Sequence, residues 1–579
     1  MNTVIQKAEQ WTKPPFDENT QNEIKQLIQA KNEKELQERF ALNLEFGTGG
    51  MRGEMAAGTN RMNTYTVAMA TQGLADYLLK WTPEPSVAIA HDSRNNSELF
   101  AQITAEVLTA NGIKCYYFNE LKPTPLLSFA IRYLKTTAGV NITASHNPKE
   151  YNGYKVFFSD GCQVLPPHET GIISQISAIQ SPEQVKRLSL EQAAKKGLYV
   201  ITPDEVIEQF YQTIEKIAIR KDLISEKAAM VSIVYTPLHG AGITSVPEIL
   251  KRLKFSNVHI VEKQRQPDGN FPTVKVPNPE EKEALTLAVE LGIEKNADIV
   301  IATDPDCDRM GIAVKHHSDF QLLNGNETGI LMAYYMLSSL KELGKLPDNA
   351  FIVKTIVTTE SINAIAEDFG VEVIDSLTGF KYIGHVIEQN CDKKRFIMGF
   401  EESYGYLTGD FIRDKCGVSA SSMIAEIALY CKTRGMTLID YLHSIFQKYG
   451  FRQEFLKSFT LKGMEGSEKI QTVMANLRKN PPQKIGGHAV EMIRDVEQSV
   501  FISNGKICGK LDLPKSNVLT FYLDDKTTVT ARPSGTEPKI KFYFSVSEKV
   551  SDNKTMDEVK AIADEKGSRL IDAVTEWLN

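Results

Sequence analysis

Apolar positions along this chain switch repeatedly between helical and strand spacing, and the switching recurs in the same order. The lead is irregular and then helical, with apolar residues at helical spacing over Glu23–Phe40. Beyond it the pattern predicts helix at Thr66–Lys80, strand at Ser86–His91, helix at Ser97–Gly112, strand at Lys114–Phe118, helix at Thr124–Leu134 and strand at Gly139–Ala144. The third helix opens on a serine read as its cap, with Leu99, Phe100, Ile103, Val107 and Leu108 on one face. A second unit follows: strand Ala229–Tyr235, helix Ile243–Lys254, strand Val258–Glu262, helix Glu280–Asn296 and strand Asp298–Thr303. A third comprises strand Phe351–Val357, helix Ser361–Phe369, strand Val371–Ser376, helix Phe380–Gln389 and strand Arg395–Phe400, with a further helix at Ser419–Lys432. Such alternation argues for α/β units with crossover helices, and three units of about 110–130 residues each suggest an internal repeat.

The pattern changes after about residue 456. Phe521–Leu523 and Thr527–Ala531 read as a hairpin, Arg532–Lys539 as a loop, Ile540–Val546 as a strand and Asp557–Leu578 as an amphipathic closing helix. The expected fold is therefore α/β, with three successive similar α/β domains and a smaller, mobile α+β C-terminal domain around one central cleft. We place the domains at 1–205, 206–323, 324–455 and 456–579.

The 579-residue length agrees with several domains, since one core rarely grows so large. A net charge of −7 gives no reason to expect nucleic acid or an anionic membrane as partner, so the charge that binds an anionic substrate must be local. No apolar run reaches the length of a membrane span, and Met1–Pro15 has no apolar signal core. The seven cysteines are scattered without a C-x-x-C pair, which fits a reducing cytoplasm.

Chemistry concentrates where the third strand of each unit ends. Unit one ends in Ser145-His146-Asn147-Pro148, unit two in Asp304-Pro305-Asp306-Cys307-Asp308-Arg309, and unit three in Glu401-Glu402-Ser403-Tyr404-Gly405. Ligands of open α/β sheets bind outside the carboxyl ends of strands, so three polar loops there imply one shared cleft. Ser145 is a hydroxyl on a tight turn, suited to act as nucleophile or phosphate acceptor. His146 beside it is either a base or a loop-orienting residue, and Lys155 is a proton shuttle if the site lowers its pKa. Asp304, Asp306 and Asp308 share one face of an extended segment, where three hard oxygens converge on one cation. A calcium EF-hand is excluded because Arg309 and Lys315 stand where glycine and glutamate belong. A phosphate oxygen completing the shell favours Mg²⁺. Glu401 and Ser403 suit vicinal sugar hydroxyls, and Arg532-Pro533-Ser534-Gly535-Thr536 suits a dianionic phosphate. Near the start, Gly47, Gly49, Gly50 and Gly53 with Arg52 read either as an anion-binding nest or as a flexible turn.

Thr143–Pro148, Asp304–Arg309, Gly399–Gly405 and Arg532–Pro538 resemble, in this order, the four active-site loops of the α-D-phosphohexomutases. The resemblance runs from about Phe46 to the C terminus. Glu45–Gly53 and Leu377-Thr378-Gly379-Phe380-Lys381 look like the longer phosphoglucomutase branch, which includes phosphopentomutases and glucose-1,6-bisphosphate synthases. The resemblance implies a four-domain enzyme, a monomer or homodimer, that interconverts glucose 1-phosphate and glucose 6-phosphate. It implies a phosphoserine at Ser145 and Mg²⁺ held by Ser145, Asp304, Asp306 and Asp308, with glucose 1,6-bisphosphate as intermediate and activator. Arg52, Arg309, Lys415, Lys155 and His146 are implied in the catalytic cleft. Thr378, Gly379, Lys381, Glu401 and Ser403 are implied at the sugar, and Arg532, Ser534, Gly535 and Thr536 at the non-reacting phosphate. Relatives usually write Lys-Asp-Gly at the cleft lysine, where this chain has Lys415-Cys416-Gly417. A silent sugar-phosphate-binding protein would be expected to lack the nucleophile or a metal carboxylate, and Ser145 and all three aspartates are present.

Overall fold

The computed structural model describes residues 2–47, 49–461, 463–534, 538–551 and 553–578. They form two compact units: 1–324 with 387–392 and 403–434, and 325–386 with 393–402 and 435–579.

The first unit carries two α/β domains. The sheet of the first runs Gly50–Glu54, Tyr151–Phe158, Ala138–Ile142, Ser86–His91, Lys114–Tyr117, Tyr199–Ile201 in spatial order. The four strands from Ala138–Ile142 to Tyr199–Ile201 are parallel, and the other two pair antiparallel. The second domain orders Asp319–Leu323, Met310–His316, Ile299–Thr303, Ile233–Thr236, Val258–Ile260. Central parallel strands are covered on both faces, which is why Val87–Ala90 and Ile299–Ala302 are unbroken apolar runs without exposure. In the second unit Glu372–Ser376, Ala350–Thr355 and Arg395–Glu401 form a parallel sheet. Counting the three parallel strands of each predicted unit, from Ser86–His91, Ile233–Thr236 and Ala350–Thr355, the first lies between the second and the third in all three domains, so the expected repeat is present in the topology.

The remaining sheet is antiparallel. It begins Phe451–Thr460, Lys539–Glu548, Thr528–Pro533, Leu519–Leu523, His488–Asp495 and is backed by the helix Met556–Glu576. Within the second unit the C-terminal segment packs against the third α/β domain. Ile356 and Leu377 share a buried cluster with Val496 and Val518, and Arg494, 2% exposed, bonds to Asp375 at 2.8 Å.

Several local expectations changed once distant partners were in place. Gly50–Glu54 is neither a nest nor a flexible turn but an edge strand. Gly50 faces Lys155 there, and a Cβ on it would lie 2.2 Å from the Tyr154 carbonyl oxygen. The helix Ser97–Ala110 is preceded by Asn96 at φ 64°, without a side-chain cap. Ser97 instead donates its hydroxyl to Asp92 at 2.7 Å, and Leu99 is 43% exposed. Glu23–Phe40 is two helices, Glu18–Gln29 and Glu33–Phe40, the second capped by Asn32.

Candidate active site

The strand Ala138–Ile142, buried at every position, delivers Ser145 to a turn in which this serine takes φ 52°. A non-glycine residue in that region is strained, and surrounding contacts must hold it. They do. Ser145 donates its N–H to Thr143 Oγ1 at 2.8 Å, and Arg94 donates Nη2 to the Ser145 carbonyl at 2.6 Å and also to the Asn147 carbonyl. The other guanidinium nitrogen, Nη1, reaches the Pro148 and Tyr151 carbonyls at 2.9 and 3.0 Å. Asp92, 2% exposed, accepts from Thr143, Ser97 and the Arg94 N–H, so one buried carboxylate anchors both supports.

Against this turn stands the acidic loop. Ser145 Oγ donates to Asp304 Oδ2 at 2.6 Å. The strand Ile299–Thr303 ends directly before Asp304, whose Oδ1 accepts the N–H groups of Asp308 and Arg309 at 3.1 and 3.0 Å. Asp306 Oδ2 accepts from Thr124 Oγ1 and Lys155 Nζ, both at 2.8 Å. Asp308 Oδ2 lies 3.0 Å from Lys415 Nζ and 3.4 Å from Lys155 Nζ. One ligand atom from each aspartate lies within 4.8 Å of the others, and all three residues are buried. The second oxygens, Asp306 Oδ1 and Asp308 Oδ1, are buried without a hydrogen-bond partner. Buried acceptors are rarely left unpaired, and two lone carboxylate oxygens beside a third carboxylate and a hydroxyl form a hard-cation donor set. The acidic cluster fits a divalent ion. Burial and then the charges of Asp306 and Asp308 push the Asp304 pKa well up. Burial opposes the charge of Asp306 too, but Lys155 and the Asp304 contact hold its pKa below the ordinary value.

The remaining residues expected in the catalytic cleft fall as follows within the first unit. His146 Nδ1 is 3.2 Å from Ser145 Oγ; burial, with Arg309 adding to it, lowers its pKa well below 6.5. Its imidazole is neutral. Lys155 departs from the shuttle reading. Burial disfavours its charge, but Asp306 and Asp308 outweigh burial and raise its pKa. It is therefore a cation held between two carboxylates. Arg52 donates to Asn147 Oδ1 at 3.2 Å. Arg309 donates to Glu280 at 2.7 Å and to the Ser403 carbonyl at 3.0 Å. Cys416 is the N-cap of the helix Gly417–Lys432, its sulfur accepting from the Ser419 N–H at 3.3 Å. The thiol thus takes over the cap that a carboxylate would supply, while Lys415 keeps its place on Asp308.

In the second unit Glu401 closes the strand Arg395–Glu401 and is 5% exposed. Its neighbour Glu402 accepts from Thr355 and Thr358 at 3.1 and 3.2 Å. Thr378 has a buried Oγ1 without a hydrogen-bond partner, Gly379 takes φ 113°, and Lys381 is 8% exposed. Arg532 sits inside the strand Thr528–Pro533 rather than in a loop, 3.5 Å from Tyr543 Oη. Ser534 follows that strand and donates its N–H to Lys539 at 2.7 Å. Gly535 and Thr536 lie outside the described residues.

Asp92, Arg94, Thr124 and Asn141 belong to the site and were not singled out from sequence. Asn141 donates to Thr124 at 2.6 Å, which places Thr124 on Asp306. A signal for two of them existed: Asp92-Ser93-Arg94 directly follows a buried strand, as the other site loops do.

Comparison with known proteins places this geometry. Models of phosphoglucomutase/phosphomannomutase α/β/α domains I, II and III match residues 43–183, 208–317 and 324–449. The chain belongs to the phosphoglucomutase/phosphomannomutase family. Like the rest of this family it is an enzyme of the phosphotransferase/isomerase type. The phosphoglucomutase of Staphylococcus aureus strain MRSA252 is 38% identical over 529 residues, spanning 90% of this chain and 93% of that one. The strain N315 protein is 37% identical over the same length. Among solved structures, the Paramecium phosphoglucomutase parafusin in its open form aligns with a TM-score of 0.65 at 18% identity, covering 91% of this chain and 94% of that one. A phosphoglucomutase/phosphomannomutase family protein of Burkholderia thailandensis aligns with a TM-score of 0.63 at 17% identity, over 91% and 97%. Both share the family fold. Among the described residues no helix is long and apolar enough to cross a membrane, and all seven cysteines are free thiols.

Proposed function

We propose that this chain is a phosphoglucomutase of the cytoplasm, interconverting glucose 1-phosphate and glucose 6-phosphate, with glucose 1,6-bisphosphate as intermediate and activator. The observation that carries this reading is Ser145, strained and buried, with its hydroxyl 2.6 Å from an acidic cluster that has two lone oxygens.

In this reading Ser145 carries the phosphoryl group. The P–Oγ bond breaks as a bond forms from phosphorus to the free sugar hydroxyl, and that hydroxyl's proton ends on Oγ. His146, neutral and 3.2 Å from Oγ, relays it. The bisphosphate then presents its other phosphate, and the same exchange in reverse restores phosphoserine. Asp304, Asp306, Asp308 and Ser145 would hold Mg²⁺, which would supply charge neutralisation to the transferring phosphoryl group. Lys155 and Lys415 hold the carboxylates in place and add positive charge. Arg52 and Arg309 take phosphoryl oxygens, for which guanidinium forks are suited. Thr378, Gly379, Lys381, Glu401 and Ser403 read the sugar, and Arg532, Ser534, Gly535 and Thr536 take the idle phosphate. We keep segments 1–205, 206–323, 324–455 and 456–579 as the four functional domains of a monomer or homodimer.

The test is mutase activity with Mg²⁺ and catalytic glucose 1,6-bisphosphate on the 1-phosphates of glucose, mannose and ribose. Fastest turnover of glucose 1-phosphate, lost in Ser145→Ala, is expected. Preference for ribose 1-phosphate would move the enzyme to pentose phosphates with the same chemistry. Turnover of none would sink the mutase reading.

A further inference from the structure

Within the second unit, the turn Leu377-Thr378-Gly379 is not supported by its own domain alone. It links the strand Glu372–Ser376 to the helix Phe380–Asn390, and Leu377 at its start packs in a cluster that includes residues more than 110 positions away in sequence. Leu377 is buried with Ile356, Val496 and Val518, and Tyr382, Val357, Leu511 and Leu513 pack on the same cluster. Beneath it Arg494 donates to Asp375 Oδ2 and to the Ile356 carbonyl, both at 2.8 Å, while Lys354 takes Asp375 Oδ1 at 2.9 Å. The segment between Val496 and Val518 is itself braced. The Val496 N–H bonds to the Val518 carbonyl at 3.1 Å, and the Leu511 N–H to the Ser499 carbonyl at 2.9 Å. Arg478 adds a bond to Asn517 Oδ1 at 2.7 Å. The turn so clamped holds the Thr378 hydroxyl, buried and without a hydrogen-bond partner, beside Gly379 at φ 113°.

A buried hydroxyl without a partner, on a turn held by an apolar cluster at Leu377 and by the ion pairs of Asp375, is poised for a ligand. We propose that Leu511, Leu513 and Arg494 are positioning residues that set the Thr378–Lys381 turn for the sugar and so determine which sugar phosphate is accepted. The inference rests on the mutase reading for the identity of the ligand, but not for the clamp itself. Leu511 and Leu513 touch neither the phosphoryl group nor the nucleophile in this mechanism. Loosening them alters sugar recognition while leaving the Ser145 chemistry in place.

The test uses the full-length Leu511→Ala/Leu513→Ala variant. Steady-state kinetics are run on glucose 1-phosphate and ribose 1-phosphate, and amide hydrogen exchange is followed over residues 377–382. We expect KM for glucose 1-phosphate to rise about tenfold with kcat within about twofold, and the hexose-to-pentose ratio of kcat/KM to change by about fivefold. Adding Thr378→Val to this variant should cost less than Thr378→Val costs alone, the mark of a shared turn. Arg494→Met should act in the same direction, with Arg494→Lys restoring part of the KM. Unchanged KM and unchanged exchange in a variant that melts like the wild type would overturn the proposal, as would an equal fall in kcat for both sugars. If the wild type turns over no sugar phosphate, the mutase reading fails, and exchange over 377–382 still decides whether the clamp sets the turn.

Discussion

Two largely buried clusters of carboxylates and cations in this molecule contrast in how their charges are paired. In the first unit Asp304, Asp306 and Asp308 face Lys155 and Lys415. In the second, Asp375 and Glu360 face Lys354 and Arg494. The second is balanced, and each Asp375 oxygen has its own cation, at 2.9 Å from Lys354 and 2.8 Å from Arg494. The first gathers three carboxylates and leaves Asp306 Oδ1 and Asp308 Oδ1 without partners. Burying charge is tolerable when geometry pairs it and costly when it does not. The balanced cluster therefore joins packed domains, and the unbalanced one stores repulsion that a bound cation would relieve. The mismatch, rather than the presence of charge, marks function.

The largest expected effect separates chemistry from stability at Ser145. Ser145→Ala should lower turnover by at least about 10³-fold while thermal melting barely moves, because only one hydroxyl is lost. A variant that retained turnover would remove the nucleophile from the comparison. Neutralising one carboxylate in each cluster should then give opposite signs. Asp375→Asn breaks a satisfied buried pair and should cost about 3 kcal/mol in denaturant unfolding. Asp308→Asn should leave the metal-free protein as stable as before or more so, while abolishing turnover. Equal destabilisation by both would show that the two clusters are alike.

Cation binding sharpens the contrast further. Mg²⁺ at about 100 times its dissociation constant should stabilise the wild type by about 2.7 kcal/mol, read as a rise in melting temperature. Asp308→Asn should lose that rise, and Asp375→Asn should keep it. The smallest effect is the pH dependence of the metal-free protein. The folded pKa of Asp304 is raised above 3.8, chiefly by burial, so its folded state binds the proton more tightly than the unfolded chain. Its contribution to stability falls as pH rises from 3.8 through the folded value. Asp375 runs the other way. Burial opposes its charge, but Lys354 and Arg494 prevail and lower its pKa. Its contribution is present above 3.8 and lost as pH falls through the folded value. Asp304→Asn should flatten the first slope and Asp375→Asn the second, in unfolding free energies measured across pH.

Much of the site was legible because its chemistry is local in sequence. The aspartates at every second position and the serine after Ile142-Thr143-Ala144 each sit within a few residues of the strand that aims them. Arg94 was not legible, because its value lies in four carbonyls that the 145–151 turn presents some 50 residues later. The direction in which the site shifts the Lys155 pKa was not legible for a similar reason. Its two carboxylates arrive from a different domain, 151 and 153 residues on. The glycines at 47–53 suggested a nest, since glycine permits one. Pairing with Tyr151–Phe158 decided for a strand, where the missing Cβ admits the neighbouring backbone instead. Leu99 shows the same limit in the core, for helical spacing names a face without saying how far the neighbouring layer covers it.

By itself the sequence determined the alternation of elements, the threefold repeat and the polar loops after buried strands, because period, burial and strand ends are written in neighbouring residues. Tertiary structure alone decided which carboxylate oxygens lack partners, which lysine stays charged and which distant segment clamps the Thr378 turn. Those outcomes depend on distances between groups far apart in the chain, and folding sets these through packing that no local pattern encodes.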